Sequence, residues 1–557
     1  HNLSDKRPWI NYQEADYILH FGMNELATSY GQRKTTQLKA AVARGAKLVV
    51  FDPRRSESAA LATEWIPIKP STDAAVALAM CYVIIKNGLY DRDFISDWTT
   101  GFDAFKKRLM GEEDDTPRTP SWASKISGVP AENIERISLE FAKSTAKGAM
   151  SWTGLAQVPN VMYATAALQA LNGMCGTFDA PGGPSLPFKR KLKPAWGAGQ
   201  DKPPKGNAPK LNKLRMWSGW APAYLLDDVE SGKLEGMVCY FGDPVLSWGN
   251  EAAITEAIEK MKFKVSIDAF MSNTAVLCDV VLPDSTWLEQ SQIKPDWLYE
   301  AQISYWAEVV KPLFNSTPIY WITVELAKRM GLGPYFPWKN IDEAFENQLS
   351  GLPCTLEQLK ERGYAVTDRA AYFKYKKWGS LNPPEGYGSS GNTQTGKYNF
   401  LNPVAQEKGV DPLPDHHDGP PDLATDATYP FHFGNFRVFQ HEHSSTFNNY
   451  QLMKANGTNA LWINKMDAHD LKIKEGEVVR LKSPWGEVEM KAHPTWDIMP
   501  GILGAAGGFG HKRGLEGDPK FSQFGGQNPP GIQKPNMTEE MGGTPLLKYI
   551  KARIEKI

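Results

Sequence analysis

Two strings in this 557-residue chain pair a glycine turn with an acidic residue one βαβ unit later. The first holds Gly22, Asn24 and Asp52; the second holds Gly242-Asp243-Pro244 and Asp268. The glycine-to-acid spacing is about 30 residues in one and about 26 in the other, the size of a nucleotide-binding unit. A glycine at a strand end lets backbone amides approach a diphosphate, and an Asn side chain adds a donor. A carboxylate at the tip of the next strand accepts from a ribose. Arg54 and Arg55 suit a phosphate or a guanine face. Asp73, in Lys69-Pro70-Ser71-Thr72-Asp73, can accept from guanine N1 and N2, which distinguishes guanine from adenine. Strand-end glycines are common, so either string alone also reads as an ordinary turn. The duplication is what points to two nucleotide tails.

Positioning these residues takes alternating strands and helices. The spacing predicts strands at 17–19, 47–52, 237–241 and 263–268. Helices are expected over 32–44, 73–86, 91–98, 130–144, 162–174 and 251–261, with Thr72 or Ser71 capping the second. Residues 1–180 read as a first α/β lobe, 181–235 as a Pro/Gly/Lys-rich excursion, and 236–335 as a second α/β lobe. Residues 336–427 read as connecting structure and 428–557 as a β-rich domain with a hairpin at 477–491. The glycine-dense run 501–510 implies backbone packed close to a ligand or another segment. Lys189-Arg190-Lys191 reads as a solvated loop sooner than as a phosphate contact.

Composition excludes several classes. A net charge of −1 supplies no field for nucleic acid. The apolar stretch 74–85 is too short to span a bilayer. Five scattered cysteines form no C-x-x-C pair, so neither a zinc site nor an iron–sulfur cluster is expected from this chain's own thiols.

The motifs FGMN, VVFDPRRSESA, IKPSTDAAVALAM, YFGDP, SIDAFMSNTAVLCDVVLPDSTWLE and DAHDLKIKEGEVVRLKSPWGEVEMKAHPTWDIMPG run in order along the chain. In these the chain resembles the molybdopterin oxidoreductases of the dimethyl sulfoxide reductase family. The resemblance implies an α/β fold with two interleaved Rossmann-like lobes and a C-terminal double-psi β-barrel. It also implies molybdenum or tungsten held on two molybdopterin guanine dinucleotides. By position, Gly22, Asn24, Asp52, Arg54, Thr72 and Asp73 would serve one dinucleotide; Gly242, Asp243, Pro244, Asp268, Thr274 and Asp279 would serve the other. Asn435-Phe436-Arg437 and the segment 441–446 match the stretch facing the pterins, with Thr446, His511 and Asn528 as further cofactor contacts. Arg437, His441 and His443 are the implied catalytic residues, the imidazoles donating to pterin or substrate oxygens.

The chain departs from the family at Ser71, where glycine is usual, and after Glu289. There QSQIKPDWLYEAQISYWAEVVKP resembles the branch of polysulfide, thiosulfate, tetrathionate and arsenate reductases and acetylene hydratase. The family's metal ligand and its [4Fe-4S] cysteines are expected upstream of His1, so no metal ligand is expected in this chain. The implied activity is two-electron anaerobic respiratory chemistry on polysulfide, thiosulfate or tetrathionate. The alternatives are arsenate reductase or arsenite oxidase chemistry, a non-redox hydratase or transhydroxylase, and a metal-free structural subunit. Implied partners are a ferredoxin-like iron–sulfur subunit, a membrane quinone-binding subunit and a small-molecule substrate, without nucleic acid. The implied location is the periplasm or outer face of the cytoplasmic membrane, with the cytoplasm as the alternative.

Overall fold

The computed structural model describes residues 8–28, 32–186, 188–197, 224–297, 300–369, 371–387, 393–511, 524–539 and 541–557. The first sheet is four-stranded and parallel, in the spatial order Glu64–Ile66, Lys47–Phe51, Tyr17–Phe21, Lys147–Ser151. Tyr17–Phe21 is central and buried along its whole length, as expected of a strand covered on both faces. Leu19 and Phe21 face one core with the helix Asp73–Lys86; Ile18 and Leu48 face the other, with Leu38 of the helix Gln32–Ala43. Phe21 and Phe51 stack at 4.2 Å, which locks the strand tips from which Gly22 and Asp52 project.

Asp73–Lys86 is buried nearly all round because other helices surround it, among them Pro120–Ser127, Ala131–Lys143 and Val161–Met174. Thr72 stands at its N-cap position without a side-chain cap bond; its hydroxyl donates to Lys69 O, and Ser71 donates to Pro159 O.

The lobes interleave through residues 336–427. Tyr375, Tyr398 and Phe400 return to the first core, where Phe400 stacks on Phe105. Ile341–Leu349 and Leu356–Arg362 instead pack on an antiparallel sheet of Gln292–Trp297, Ala301–Trp306 and Tyr364–Asp368. Much of the excursion, residues 198–223, lies outside the described residues. Of the basic run, Arg190 grips Asp368 bidentately at 2.7 and 2.8 Å, a structural ion pair.

The second sheet is parallel and three-stranded: Val280–Pro283, Phe263–Asp268, Gly236–Tyr240. Glu251–Lys260 covers one face, its N-terminus capped by Asn250, which accepts from Ala253 N.

The C-terminal domain is a closed barrel in the order Phe431–Phe436, Ile502–Ala506, Leu461–Asn464, Gly486–Thr495, Val478–Ser483, Ile550–Lys556. It mixes parallel and antiparallel pairs around a core that includes Phe433, Ile463, Leu481 and Leu503. The hairpin Val478–Ser483/Gly486–Thr495 forms where its alternation places it. No helix among the described residues is long and apolar enough to cross a membrane.

Candidate functional site

Two clefts open where the α/β lobes meet the barrel. The first, with about 890 Å³ of empty space, runs between Gly22, Asn24, Asp52, Arg54 and Asp73 on the lobe and Asn435, Phe436, Arg437 and Lys548 on the barrel side. The second, about 1790 Å³, runs between Gly242, Asp243, Asp268 and Asp284 on the other lobe and Ser444, Thr446, Asn449 and His511 of the C-terminal domain. Both sit at the carboxyl ends of parallel strands, where open α/β sheets bind ligands.

In the first cleft, Gly22 has φ +54°, and a side chain there would meet Gly154 and Leu155. Only glycine lets the turn pass this close; Gly154 N donates to Gly22 O at 3.0 Å. Asn24 is already engaged, donating to Glu57 Oε2 at 2.6 Å and accepting from Ser58 N at 3.1 Å. It therefore braces the cleft wall. Arg54 lies over the rings of Phe436 (4.3 Å) and Trp462 (5.4 Å), joining lobe to barrel by cation–π contact. Thr72 does not line the cleft; Ser71 does, its backbone left-handed at φ 69°.

The electrostatics call for a donor-rich ligand. Burial raises the Asp73 carboxyl to about 7, with Asp52 adding repulsion. Burial also raises Asp52, opposed by Arg54 and Lys548. Lys548 is pushed down to about 7 by burial and then by Arg437, with Arg54 also lowering it. Ribose hydroxyls and guanine N–H groups would stabilise these carboxylates, and a diphosphate would stabilise the ammonium.

The second cleft repeats the pattern. Asp268 is raised to about 6 by burial, with Asp243 and Asp284 adding to it. Asp243 lines the wall, but its carboxylate is taken by Asn273 N (3.2 Å), Thr274 N (3.1 Å) and Thr274 Oγ1 (2.7 Å). Thr274 is fully buried and holds that turn from behind instead of touching a ligand. Pro244 is buried as the first residue of a short helix, Pro244–Ser247. Asp279 is not brought to the cleft. It precedes Val280–Pro283, at the amino end of the sheet, and accepts from Lys264 N at 2.7 Å. Asp284, just past the carboxyl end of the same strand, is the carboxylate on the cleft wall.

The loop after Phe431–Phe436 joins the clefts: Arg437 lines the first, and Ser444, Ser445 and Thr446 line the second. Arg437 Nη2 donates to His443 Nδ1 at 2.5 Å, and His443 Nε2 lies 3.2 Å from Glu442 Oε1. Partial desolvation of its ring, whose side chain is still 65% exposed, and then the Arg437 charge hold His443 below the usual imidazole value. His441 corrects the expectation placed on it. It is buried with both ring nitrogens engaged, Nδ1 with Thr446 Oγ1 (3.0 Å) and Nε2 with Gly508 O (2.9 Å), and so braces the loop without offering a donor to a ligand. His511 stacks on Phe447 at 4.1 Å, lines the second cleft, and is kept neutral by burial, which lowers it to about 4. Asn528 lines neither cleft; its Nδ2 donates to Glu251 Oε2 at 3.1 Å.

The donor set fits the expected dinucleotides. Asn435 Oδ1 and His511 Nε2 are buried without a partner, one on each cleft wall. Such atoms each cost roughly 1–3 kcal/mol until something pairs with them. Gly22 supplies the close backbone approach, and each cleft has a strand-tip carboxylate with a second one beside it. Among the described residues no cluster of three or more His, Cys, Asp or Glu could hold a metal ion.

Lys548 and Asp284 went unmarked in the sequence. Asp284 could have been found by asking which acid follows a parallel strand, not which precedes it. Lys548 carries no local signal, because only barrel closure brings it to Asp52.

Residues 4–329 match a family model described as molybdopterin oxidoreductase, and residues 431–548 match one described as molydopterin dinucleotide binding domain. The dimethyl sulfoxide reductase of Haemophilus influenzae is 27% identical, over 88% of this chain and 67% of its own. The molybdopterin-containing subunit of thiosulfate reductase from Salmonella typhimurium is 26% identical, over 90% of this chain and 69% of its own. The chain thus spans about two thirds of the length of these relatives. The solved structure of acetylene hydratase from Pelobacter acetylenicus superposes with a TM-score of 0.83 at 21% identity, over 100% of this chain and 80% of that one, a likeness of fold. With paired carboxylate-bearing clefts closed by one barrel, and a family model matched over more than half its length, the chain belongs to the molybdopterin oxidoreductase family.

Proposed function

We propose that this chain is the catalytic portion of an oxidoreductase that holds molybdenum or tungsten on two molybdopterin guanine dinucleotides, one tail in each cleft. The substrate in this reading is a sulfur compound: polysulfide, thiosulfate or tetrathionate. The observation that carries it is the pair of clefts meeting at the Arg437–His443 loop. Asp52 with Asp73, and Asp268 with Asp284, accept from the two nucleoside ends. Gly22 and Gly242 admit the diphosphates, with Lys548 adding charge in the first cleft. When bound, the metal supplies two-electron chemistry.

Arg437 sits at the junction and presents a guanidinium to an anionic substrate. His443 orients that guanidinium through Nδ1, and its Nε2 faces Glu442, a short path for a proton. Support for a sulfur substrate is the stretch after Glu289, which builds the strands Gln292–Trp297 and Ala301–Trp306, together with the thiosulfate reductase relative. An iron–sulfur subunit, a membrane quinone-binding subunit and a periplasmic location complete the proposal. A second reading, hydration without net redox, is favoured by the acetylene hydratase of Syntrophotalea acetylenica, 26% identical over 74% of this chain.

The test is oxidation of reduced viologen by the purified holoenzyme. Turnover with tetrathionate, thiosulfate or polysulfide supports the proposal. Hydration of acetylene with no viologen consumed replaces it with the second reading, and turnover of arsenate alone overturns the substrate class.

A further inference from the structure

The second sheet lays its strand ends along the second cleft in a fixed order. Its parallel strands lie side by side as Val280–Pro283, Phe263–Asp268, Gly236–Tyr240. Gly242 follows the last, Asp268 closes the middle one and Asp284 follows the first, and all three line the cleft. Neighbouring strands are about 4.8 Å apart, so the two outer tips are separated by about 10 Å. That is the reach of a nucleoside from its 5′ oxygen to the far edge of its base. A diphosphate at Gly242 and a ribose at Asp268 therefore bring the base to Asp284.

An indole stands there. Trp287 follows Asp284 by one turn of chain, lines the cleft and is 62% exposed, the most open of the aromatic rings on that wall. Its loop is pinned: the buried Glu289 carboxylate accepts from Thr286 N at 2.7 Å and from Leu313 N at 2.9 Å. Trp306, at the end of the strand Ala301–Trp306, also lines the cleft and packs edge-on against Trp287, with ring centroids 6.5 Å apart and planes at 74°. A ring held open inside a cleft gains its burial from whatever fills the cleft. Phe241 stands at the Gly242 tip and Phe270 at the Asp268 tip, so neither is placed for the base. The first cleft differs at the matching position. Past Asp52, its edge strand Glu64–Ile66 leads to Ile68 and Pro70, both aliphatic, beside Asp73.

We infer that Trp287 stacks on the guanine of the tail in the second cleft, with Trp306 bracing the ring and Asp284 accepting from the edge of the base. This rests on the reading that each cleft holds a dinucleotide tail. An aromatic face holds a base through its π-system, whatever the base presents at its edge. The two clefts thus grip their bases differently. The first uses aliphatic contact and the Asp73 carboxylate; the second adds an indole to the Asp284 carboxylate.

The test titrates the purified protein, prepared without cofactor, with guanosine diphosphate in a calorimeter. Wild type should fill both clefts. Trp287→Leu should weaken one site about tenfold, the cost of losing one stacked base, while Trp287→Phe should stay within about threefold of wild type. Asp73→Asn should weaken the other site and leave the effect of Trp287→Leu unchanged. Because Trp287 is exposed, Trp287→Leu should melt within about one degree of wild type, which separates lost binding from lost folding. Irradiation with 8-azidoguanosine diphosphate should label the peptide that carries Trp287. If wild type binds at both sites and Trp287→Leu binds as well at both, or if the label falls only on residues of the first cleft, the stacking is overturned and the assignment of the clefts stands. If wild type binds no guanosine diphosphate at either site, the assignment and the stacking fall together.

Discussion

Asp73→Asn gives the sharpest test of the first cleft. The Asp73 carboxyl is moved by burial from its ordinary 3.8 to about 7. Below pH 3.8 both the folded and the unfolded chain hold this proton, and it contributes nothing to the pH dependence. Between there and about 7 the unfolded chain releases the proton while the folded chain keeps it, so stability falls as pH rises. Above that window the loss is complete and amounts to at most about 4 kcal/mol. The helix N-terminus favours the anion by roughly 0.3–1 kcal/mol, too little to cancel burial. Asparagine never ionises, so the variant lacks this slope. Urea unfolding without nucleotide, measured from pH 4 to pH 8, should show wild type losing stability relative to Asp73→Asn by up to about 4 kcal/mol. Added guanosine diphosphate should narrow the gap at pH 8 by roughly 3 kcal/mol, the worth of about two charge-assisted hydrogen bonds, because guanine N1–H and N2–H donate to a carboxylate and not to an amide nitrogen. Parallel pH profiles, or equal stabilisation by adenosine diphosphate, would refute the reasoning.

Gly22→Ala should lower stability by at least about 1–2 kcal/mol from the left-handed backbone alone, with a melting scan as readout; an unchanged Tm contradicts the close approach to Gly154. His441→Ala removes a buried ring with both nitrogens engaged and should cost about 2–4 kcal/mol in chemical denaturation, whereas His443→Ala should stay within about 0.5 kcal/mol and reduce turnover. Arg54→Ala should loosen the barrel from the first lobe, costing about 1–2 kcal/mol and speeding hydrogen exchange in Phe431–Phe436. Asp284→Asn should weaken guanosine diphosphate binding about tenfold, roughly the worth of one charge-assisted hydrogen bond, while Asp279→Asn leaves titration calorimetry unchanged.

The helix Asp73–Lys86 and the strands that end at Gly22 and Asp52 were legible because local pattern and final burial agree. Residues 74–85 are apolar all round, and the structure buries nearly all of them. Barrel closure was not legible: Ile550–Lys556 pairs with both Phe431–Phe436 and Val478–Ser483, contacts that no local pattern encodes. The sites divide the same way. The strand-tip aspartates follow from the βαβ order. His441 was misread because residue type does not reveal that both of its nitrogens are spent on Thr446 and Gly508. Asp279 was misread because an acid beside a strand can stand at either end of it, and only the carboxyl end meets the ligand. Arg54 was read as suited to a phosphate or a guanine face; that its guanidinium stacks on Phe436 and Trp462 depends on the barrel's position.

The most direct measurement is the content of the purified, assembled protein: metal by mass spectrometry, and nucleotide released on denaturation. Two filled clefts predict two guanine nucleotides for each atom of molybdenum or tungsten, with a fluorescent pterin after oxidation. Protein that assembles fully and releases neither guanine nucleotide nor pterin would contradict the account.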